Sequence, residues 1–244
     1  MVNMGRVRDR GSATGNRSIM NQPEQSSEPA KMYSKHQGEE AETSDVATRK
    51  WRLSEYQLAS EGVKQAQLAG ELFLEQLKER NIPLESVCIC YSPFARTSHT
   101  AKVVASVLNL PFEGPQCKVM EDLRERYFGP SFELMSHDKY PEIWALDEKD
   151  PFMQPAGGES ANDVANRLAS AMASMELEFQ GCAVLIVSHG DPLQILQTIL
   201  SAVKQHNGST CDDLSSMVQA VKIPSILSQH RKFALLTGEL RQII

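Results

Sequence analysis

Two short apolar runs restrict the folds that are open to this chain. Val87–Tyr91 (Val-Cys-Ile-Cys-Tyr) and Ala183–Ser188 (Ala-Val-Leu-Ile-Val-Ser) carry almost no polar residues, which is typical of β-strands buried on both faces. Longer segments with helical spacing lie around them. Because strands that alternate with long helices favour parallel pairing with right-handed crossovers, the sequence predicts an α/β fold. We expect a three-layer α/β/α sandwich around a mainly parallel sheet.

Four segments have the apolar spacing or the starting residues of long helices: 60–80 with Ser60 as its cap, 96–109, a helix that Ser160 opens with Asp163 in a capping-box-like pair, and a helix that Asp191 caps. Further short strands are predicted near Lys118–Met120, at Val221–Leu227 and at Phe233–Leu236. Residues 121–158 are rich in Pro and Gly and predict a long excursion with one short helix around Ile143.

The first 50 residues differ in composition from the rest of the chain. Residues 1–22 are basic and residues 23–47 are acidic, and neither part has a helical or strand period. We therefore predict an irregular or disordered segment over 1–50 and a folded domain over 51–244. A solvated tail is the favoured interpretation, and an organelle transit peptide, rich in Arg and Ser, is the alternative. Otherwise we expect a cytoplasmic protein.

Charge and cysteine content exclude several classes of function. The net charge of −6 argues against nucleic-acid binding and against docking on an anionic membrane. The apolar runs at 183–187 and 234–236 are too short to cross a bilayer. Five cysteines without a Cys-x-x-Cys pair favour buried reduced thiols over a disulfide scaffold or a zinc site. We expect no metal and no cofactor, and the oligomeric state stays open.

Polar side chains that suit phosphate chemistry follow three predicted strands. Arg96 follows the first strand, Glu125 the short one, and His189 the second buried one. An arginine grips two phosphate oxygens, a histidine clamps or attacks the phosphorus, and a carboxyl with a raised pKa supplies a proton. Ligands of parallel sheets bind at the carboxyl ends of the strands, so the three residues predict one phosphate-ester site that needs no metal.

Each of these residues also has a structural interpretation. Arg96 could pair on a surface, His189 could be a satisfied core histidine, and Glu125 lies in a charged run, 121–126, of the kind that usually faces solvent. Two other histidines are assigned no chemistry: His99 is expected to be structural within its helix, and His230 is expected in a surface turn.

The motifs, taken in order, resemble those of the histidine phosphatase superfamily, which is also called phosphoglycerate-mutase-like. The resemblance covers about residues 57–237 and is greatest to plant members in 121–150 and 228–233. It is carried by Leu58–Ala66, by Ser92–Ala101, by Leu-Arg-Glu-Arg-Tyr-Phe-Gly at 123–129, by Gly-Gly-Glu-Ser at 157–160 with Arg167, and by Val-Ser-His-Gly at 187–190.

This resemblance implies a fold, an activity and a set of residues. The chain would act on a small phosphorylated substrate, a phosphomonoester, through a phosphohistidine. Arg96 and His189 would hold the phosphate, and Glu125 would donate the proton. The family begins with an apolar strand that ends in Arg-His-Gly, and no such motif occurs here, so its first strand is absent or replaced. The nearest candidate nucleophile is His36, in Lys-His-Gln-Gly, which needs Lys in place of Arg and an inserted Gln.

Two hypotheses on function therefore stay open. The first is a histidine phosphatase with impaired turnover, because the usual nucleophile is missing. The second is a non-catalytic phosphate-binding or interaction protein, either a pseudoenzyme or a truncated isoform. A serine hydrolase that uses Ser188 is disfavoured, because the Gly-x-Ser-x-Gly elbow is absent. The identity of the substrate is not predicted, nor is the choice between mutase and phosphatase.

Overall fold

A computed structural model of the chain describes residues 2–3, 51–132, 139–205, 218 and 221–243. The helices and strands of these residues, in chain order, are β1 (Val2–Asn3), α1 (Ser60–Glu79), β2 (Val87–Tyr91), α2 (Ala95–Val107), β3 (Cys117–Val119), α3 (Tyr140–Lys149), α4 (Ala161–Glu178), β4 (Ala183–Ser188), α5 (Gly190–Gln205) and α6 (Pro224–Leu227). Short 3₁₀ turns occur at Ser54–Tyr56, Leu84–Ser86, Glu121–Leu123, Pro130–Phe132 and His230–Phe233.

The strands form one parallel sheet in the order β1-β4-β2-β3. β2 and β4 pair from Val87 opposite Ala183 to Tyr91 opposite Val187, at the centre of the sheet. β3 joins β2 on the other side, where Cys117 lies opposite Ile89. All carboxyl ends therefore lie at one edge, and the predicted mainly parallel sheet is confirmed.

Side chains of the two central strands alternate between two hydrophobic layers. Ile89 and Leu185 pack with α1 and α2 on one face, while Cys90 and Ile186 pack with α4 and α5 on the other. Both faces are thus covered, which explains why these strands are apolar at every position. The arrangement confirms the α/β/α sandwich.

The edge of β4 is paired by two residues from the start of the chain. Val2 lies opposite Val187 and Asn3 lies opposite Ser188. That the first strand of the family is absent or replaced stays a prediction. Residues 4–50, which include His36, lie outside the described residues. The irregular segment and the transit peptide stay predictions.

The prediction of two closing strands near the C-terminus is wrong. Val221–Leu227 contains α6. Phe233 ends a 3₁₀ turn, and residues 234–236 form no strand. Pro224 occupies the first position of α6, where its fixed φ and missing N–H favour a helix start. Leu227 is fully buried against the α4 and α5 layer. The apolar residues here therefore pack as a helix.

The predicted helix caps are confirmed in one case and wrong in two. Ser160 and Asp163 form a reciprocal capping box at α4. Ser60, however, is the first residue of α1, whose N-cap is Ala59 without a side-chain bond. Asp191 is the second residue of α5, which begins at Gly190, and its carboxylate accepts a hydrogen bond from Arg126.

Candidate active site

The structure brings Arg96, Glu125 and His189 together at the carboxyl edge of the sheet. Nη2 of Arg96 lies 2.8 Å from Nδ1 of His189. Oε2 of Glu125 lies 3.5 Å from that Nη2 atom and 3.7 Å from Nδ1 of His189. Each residue follows a different strand, so the parallel order of the sheet is what makes them meet. Together they form a small charged cluster made of residues far apart in sequence.

His189 is a neutral histidine with both ring nitrogens engaged. Its side chain has no exposed surface, and its Nε2 lies 2.7 Å from Oγ of Ser92. Because a guanidinium has only donors, Nδ1 must accept from Arg96, and the ring proton is therefore on Nε2. Burial, and after it the charges of Arg96 and Arg167, hold the pKa of His189 well below its usual value.

Arg96 is held in place by aromatic rings as well as by His189. It is the second residue of α2, and its guanidinium lies 5.2 Å from the ring of Phe94 and 5.9 Å from the ring of Trp51. The backbone of Trp51 also accepts a hydrogen bond from Ala95 N–H at 2.8 Å. The start of α2 is therefore fixed, and Arg96 is positioned to receive an anion.

Glu125 combines access to solvent with a raised pKa. Its Oε1 accepts the backbone N–H of Arg126 at 3.1 Å, while 28% of its side chain stays exposed. Burial raises the pKa of Glu125 to about 7, Arg96 opposes this shift, and the charge of Asp191 adds to it. Near neutral pH the carboxyl is therefore partly protonated and can act as a general acid.

A buried ionic network lies beside the site. Arg126 donates to both oxygens of Asp147 at 2.6 and 2.8 Å, to Asp191 at 3.1 Å and to the backbone oxygen of Glu159 at 2.9 Å. Nε2 of His230 lies 3.1 Å from Asp147. His230 is completely buried, so the prediction that it lies in a surface turn is wrong. The network joins α3, the loop after β3, the start of α5 and the C-terminal 3₁₀ turn.

Glu159 holds the loop that carries Glu125. It accepts from Arg124 at 2.6 Å, from Arg167 at 3.0 Å and from the backbone N–H of Tyr127 at 3.0 Å. In turn, its own N–H donates to the oxygen of Tyr127 at 2.7 Å. The Gly-Gly-Glu-Ser segment therefore stabilises the loop after β3.

Two glycines allow these two loops to approach so closely. A Cβ on Gly158 would lie 2.6 Å from the backbone carbon of Phe128. One on Gly129, which has φ of 95°, would lie 2.2 Å from the oxygen of Ala156. A larger residue at either position would therefore force the backbones of the two loops apart.

Other chemical features of the described ranges are limited. Within them, no group of three or more His, Cys, Asp and Glu side chains could hold a metal ion. No helix in the same part of the chain has the length and apolar content needed to span a membrane. The cysteines at 88, 90, 117 and 182 are free thiols, and burial raises the pKa of Cys90 to about 12.

The residues that sequence reasoning missed lie next to those that it found. Ser92 directly follows β2 and belongs to a motif that the sequence analysis singled out, so its contact with His189 could have been suspected. Arg126 and Asp191 neighbour Glu125 and His189 in sequence, but nothing in their pattern indicates that they bind each other. His99 lies in α2, half-buried. His36 lies outside the described residues.

The structure is thus a parallel α/β/α sandwich with an arginine, a histidine and a carboxyl of raised pKa at the carboxyl edge of its sheet. The sequence model of the histidine phosphatase superfamily (branch 1) matches residues 30–216. The chain therefore belongs to this family. Its likeness to plant members stays a prediction.

Solved structures that resemble this chain include three phosphatases or hydrolases. A mycobacterial glucosyl-3-phosphoglycerate phosphatase complexed with VO3 has 22% identity and a TM-score of 0.48, over 67% of this chain and 74% of that one. The α-ribazole phosphatase from Shigella flexneri has 21% identity and a TM-score of 0.46, over 74% of each chain. "Mycobacterial hydrolase 1" has 22% identity and a TM-score of 0.47, over 67% of this chain and 73% of that one. Among curated proteins there is no significant match.

Proposed function

We propose that this chain is a phosphoglycerate-mutase-like histidine phosphatase that binds a small phosphomonoester and turns it over slowly. The observation that carries the proposal is the meeting of Arg96, Glu125 and His189 within 3.7 Å at the carboxyl edge of the sheet. Arg96 binds the phosphate oxygens, and His189 clamps the same group. Glu125, whose pKa is about 7, donates the proton to the leaving oxygen.

The spacing of these residues separates the role of clamp from that of nucleophile. In an in-line displacement, the nucleophile and the leaving oxygen lie on opposite sides of the phosphorus. A proton donor bonded to the leaving oxygen is then on the order of 6 Å from the nucleophile. Glu125 Oε2 and His189 Nδ1 are only 3.7 Å apart. His189 therefore fits the clamp, and a nucleophile has to approach from the other side.

His36 is the residue we assign to that nucleophilic role. The family match begins at residue 30 and thus includes it, although the Arg-His-Gly motif is missing. Without the neighbouring arginine, the transferred phosphoryl group loses a charge-assisted grip of about 1.5–3 kcal/mol per hydrogen bond. Slow turnover follows from this loss.

The absence of that motif also favours a second candidate function. A site that keeps Arg96 and His189 but has no competent nucleophile binds phosphate groups without cleaving them. The protein would then be a non-catalytic phosphate-binding or interaction protein. The two candidates differ in one observable, which is covalent phosphorylation of a histidine.

Acid-labile phosphate labelling tests the proposal directly. The full chain is incubated with a ³²P-labelled aryl phosphomonoester, and binding of inorganic phosphate is measured in parallel by calorimetry. We expect an acid-labile label that is lost in His36→Ala and kept in His206→Ala, a matched control with no assigned role. Phosphate binding without any label would support the non-catalytic candidate. If the chain shows no acid-labile label and also binds no phosphate, both candidate functions are refuted.

A further inference from the structure

The hydrogen bonds that His189 makes in the structure leave no ring N–H directed at an anion. Nδ1 accepts from Arg96 at 2.8 Å, and Nε2 donates its proton to Oγ of Ser92 at 2.7 Å. Phosphate and sulfate oxygens without protons are acceptors. A ring that binds such an oxygen through Nδ1 must carry a proton on Nδ1, so the bonding of the free ring has to change when the anion arrives.

Nδ1 could gain a proton if the ring took up a second one and became an imidazolium. The surroundings of the ring oppose this. The ring has no exposed surface, and Arg96 from α2 and Arg167 from α4 both face it with positive charge. Glu125, from the loop after β3, is the carboxyl close to the ring, at 3.7 Å. Arg96 already balances part of the charge of a bound anion. Formation of an imidazolium is therefore disfavoured at this position.

Ser92 supplies a route that leaves the ring neutral. Its side chain is completely buried at the end of β2, and a hydroxyl both donates and accepts hydrogen bonds. When the hydroxyl rotates and donates to Nε2, the ring proton can reside on Nδ1 and point at the anion. One proton leaves Nε2 and one is bound at Nδ1, so the net exchange with solvent is zero.

We propose that Ser92 is a positioning residue that lets a neutral His189 exchange its tautomer when the site takes up a tetrahedral anion. The inference rests on the proposed phosphate-binding function of the site. It goes further, because it assigns Ser92 a role in both states of the ring and names the proton balance of binding. Arg96 then shifts its hydrogen bond from the ring to the same anion.

The test uses sulfate, a tetrahedral dianion that brings no proton of its own. At about pH 5.5, below the pKa of about 7 of Glu125, that carboxyl is already protonated and contributes little to the proton count. Long-range ¹H–¹⁵N spectra of the ¹⁵N-histidine-labelled full chain report which ring nitrogen carries the proton. Calorimetry in two buffers of different ionisation enthalpy counts the protons taken up.

We expect Nδ1 of His189 to change from an unprotonated to a protonated nitrogen on sulfate binding, while Nε2 changes in the opposite sense. Net proton uptake should be close to zero. Sulfate binding with both nitrogens protonated and one proton taken up would overturn the inference, as would a ring that keeps its free-state tautomer. A failure to bind sulfate would overturn the proposed function as well.

Variants of Ser92 give a second measurement. Ser92→Ala removes the group that holds Nε2 in either state, and we expect sulfate to bind about tenfold more weakly. Ser92→Thr keeps the hydroxyl and should bind sulfate more tightly than Ser92→Ala, with the same exchange of ring protons. If Ser92→Ala binds sulfate as tightly as the natural chain, Ser92 has no such role.

Discussion

Replacing Arg126 by methionine should destabilise this protein more than the loss of any exposed ion pair. Arg126 and Asp147 are both fully buried and joined by two short hydrogen bonds, and Asp191 accepts a third at 3.1 Å. Arg126→Met keeps most of the apolar volume and removes the positive charge. Asp147 then stays buried, and among the described residues His230 is the hydrogen-bonding partner that it keeps.

Removal of one partner of a buried ion pair costs about 3–5 kcal/mol, since the other charge is left uncompensated. Arg52→Met is the matched control, because Arg52 also donates to both oxygens of a carboxylate, that of Glu121. Those side chains are 42% and 59% exposed, so the control should cost about 0–1 kcal/mol. For a chain of this size the larger loss corresponds to a decrease in Tm of roughly 10 °C.

The pH dependence of this loss has a definite sign. Burial raises the pKa of Asp147, but the hydrogen bonds from Arg126 and His230 outweigh burial and lower it below its ordinary value of 3.8. A carboxyl with a lowered pKa stabilises the fold above its unfolded pKa and stops doing so as the pH falls. In Arg126→Met, protonation of Asp147 relieves the penalty. Because Arg126 no longer offsets burial in this variant, protonation of Asp147 begins above its ordinary pKa of 3.8. The difference in the free energy of unfolding from the natural chain should therefore begin to narrow above about pH 4 and continue to narrow below it.

Urea unfolding followed by circular dichroism measures both variants against the natural chain. Arg126→Met should lower the free energy of unfolding by several kcal/mol with an unchanged m-value, and Arg52→Met should scarcely alter it. Equal decreases in the free energy of unfolding in the two variants would refute the reasoning, because burial would then not determine how much each ion pair stabilises the fold.

Three further predictions concern the site. Since the pKa of Glu125 is about 7, phosphatase turnover should fall as the pH rises above 7. Glu125→Gln should turn over more slowly and lack that decline. A turnover rate of the natural chain that does not change with pH would contradict this prediction. Arg96→Lys should weaken binding of inorganic phosphate about tenfold in calorimetry, whereas Arg52→Lys should not. Gly158→Ala should lower the free energy of unfolding by more than about 1 kcal/mol, because its Cβ would lie 2.6 Å from the backbone of Phe128; an unchanged urea midpoint would show that the loops can separate freely.

Local sequence patterns predicted the elements that lie in the middle of the fold. The limits of β2 and β4 agree with the apolar runs at Val87–Tyr91 and Ala183–Ser188, because a strand covered on both faces is apolar at every position. The capping box of Ser160 and Asp163 was equally readable, since both partners lie within one helical turn. Prediction failed at 221–236, where short apolar stretches fit a strand or a helix equally well.

The sequence by itself determined that Arg96, Glu125 and His189 each follow a strand of a parallel sheet, and hence that they lie at one edge. Their positions depend only on the order of strands and helices along the chain. Only the tertiary structure decided their bonding, including the neutral ring of His189 between Arg96 and Ser92.

The same division explains the buried network. Arg126 belongs to a charged run that is typical of a solvated face, and His230 to a polar stretch typical of a surface turn. Both are buried, because carboxylates from distant helices lie beside them. Arg126 donates to Asp147 and Asp191, and His230 contacts Asp147. A charged side chain can be buried only where a partner of opposite charge or a hydrogen-bonding group lies beside it. The packing of the helices on the sheet determines where that partner lies.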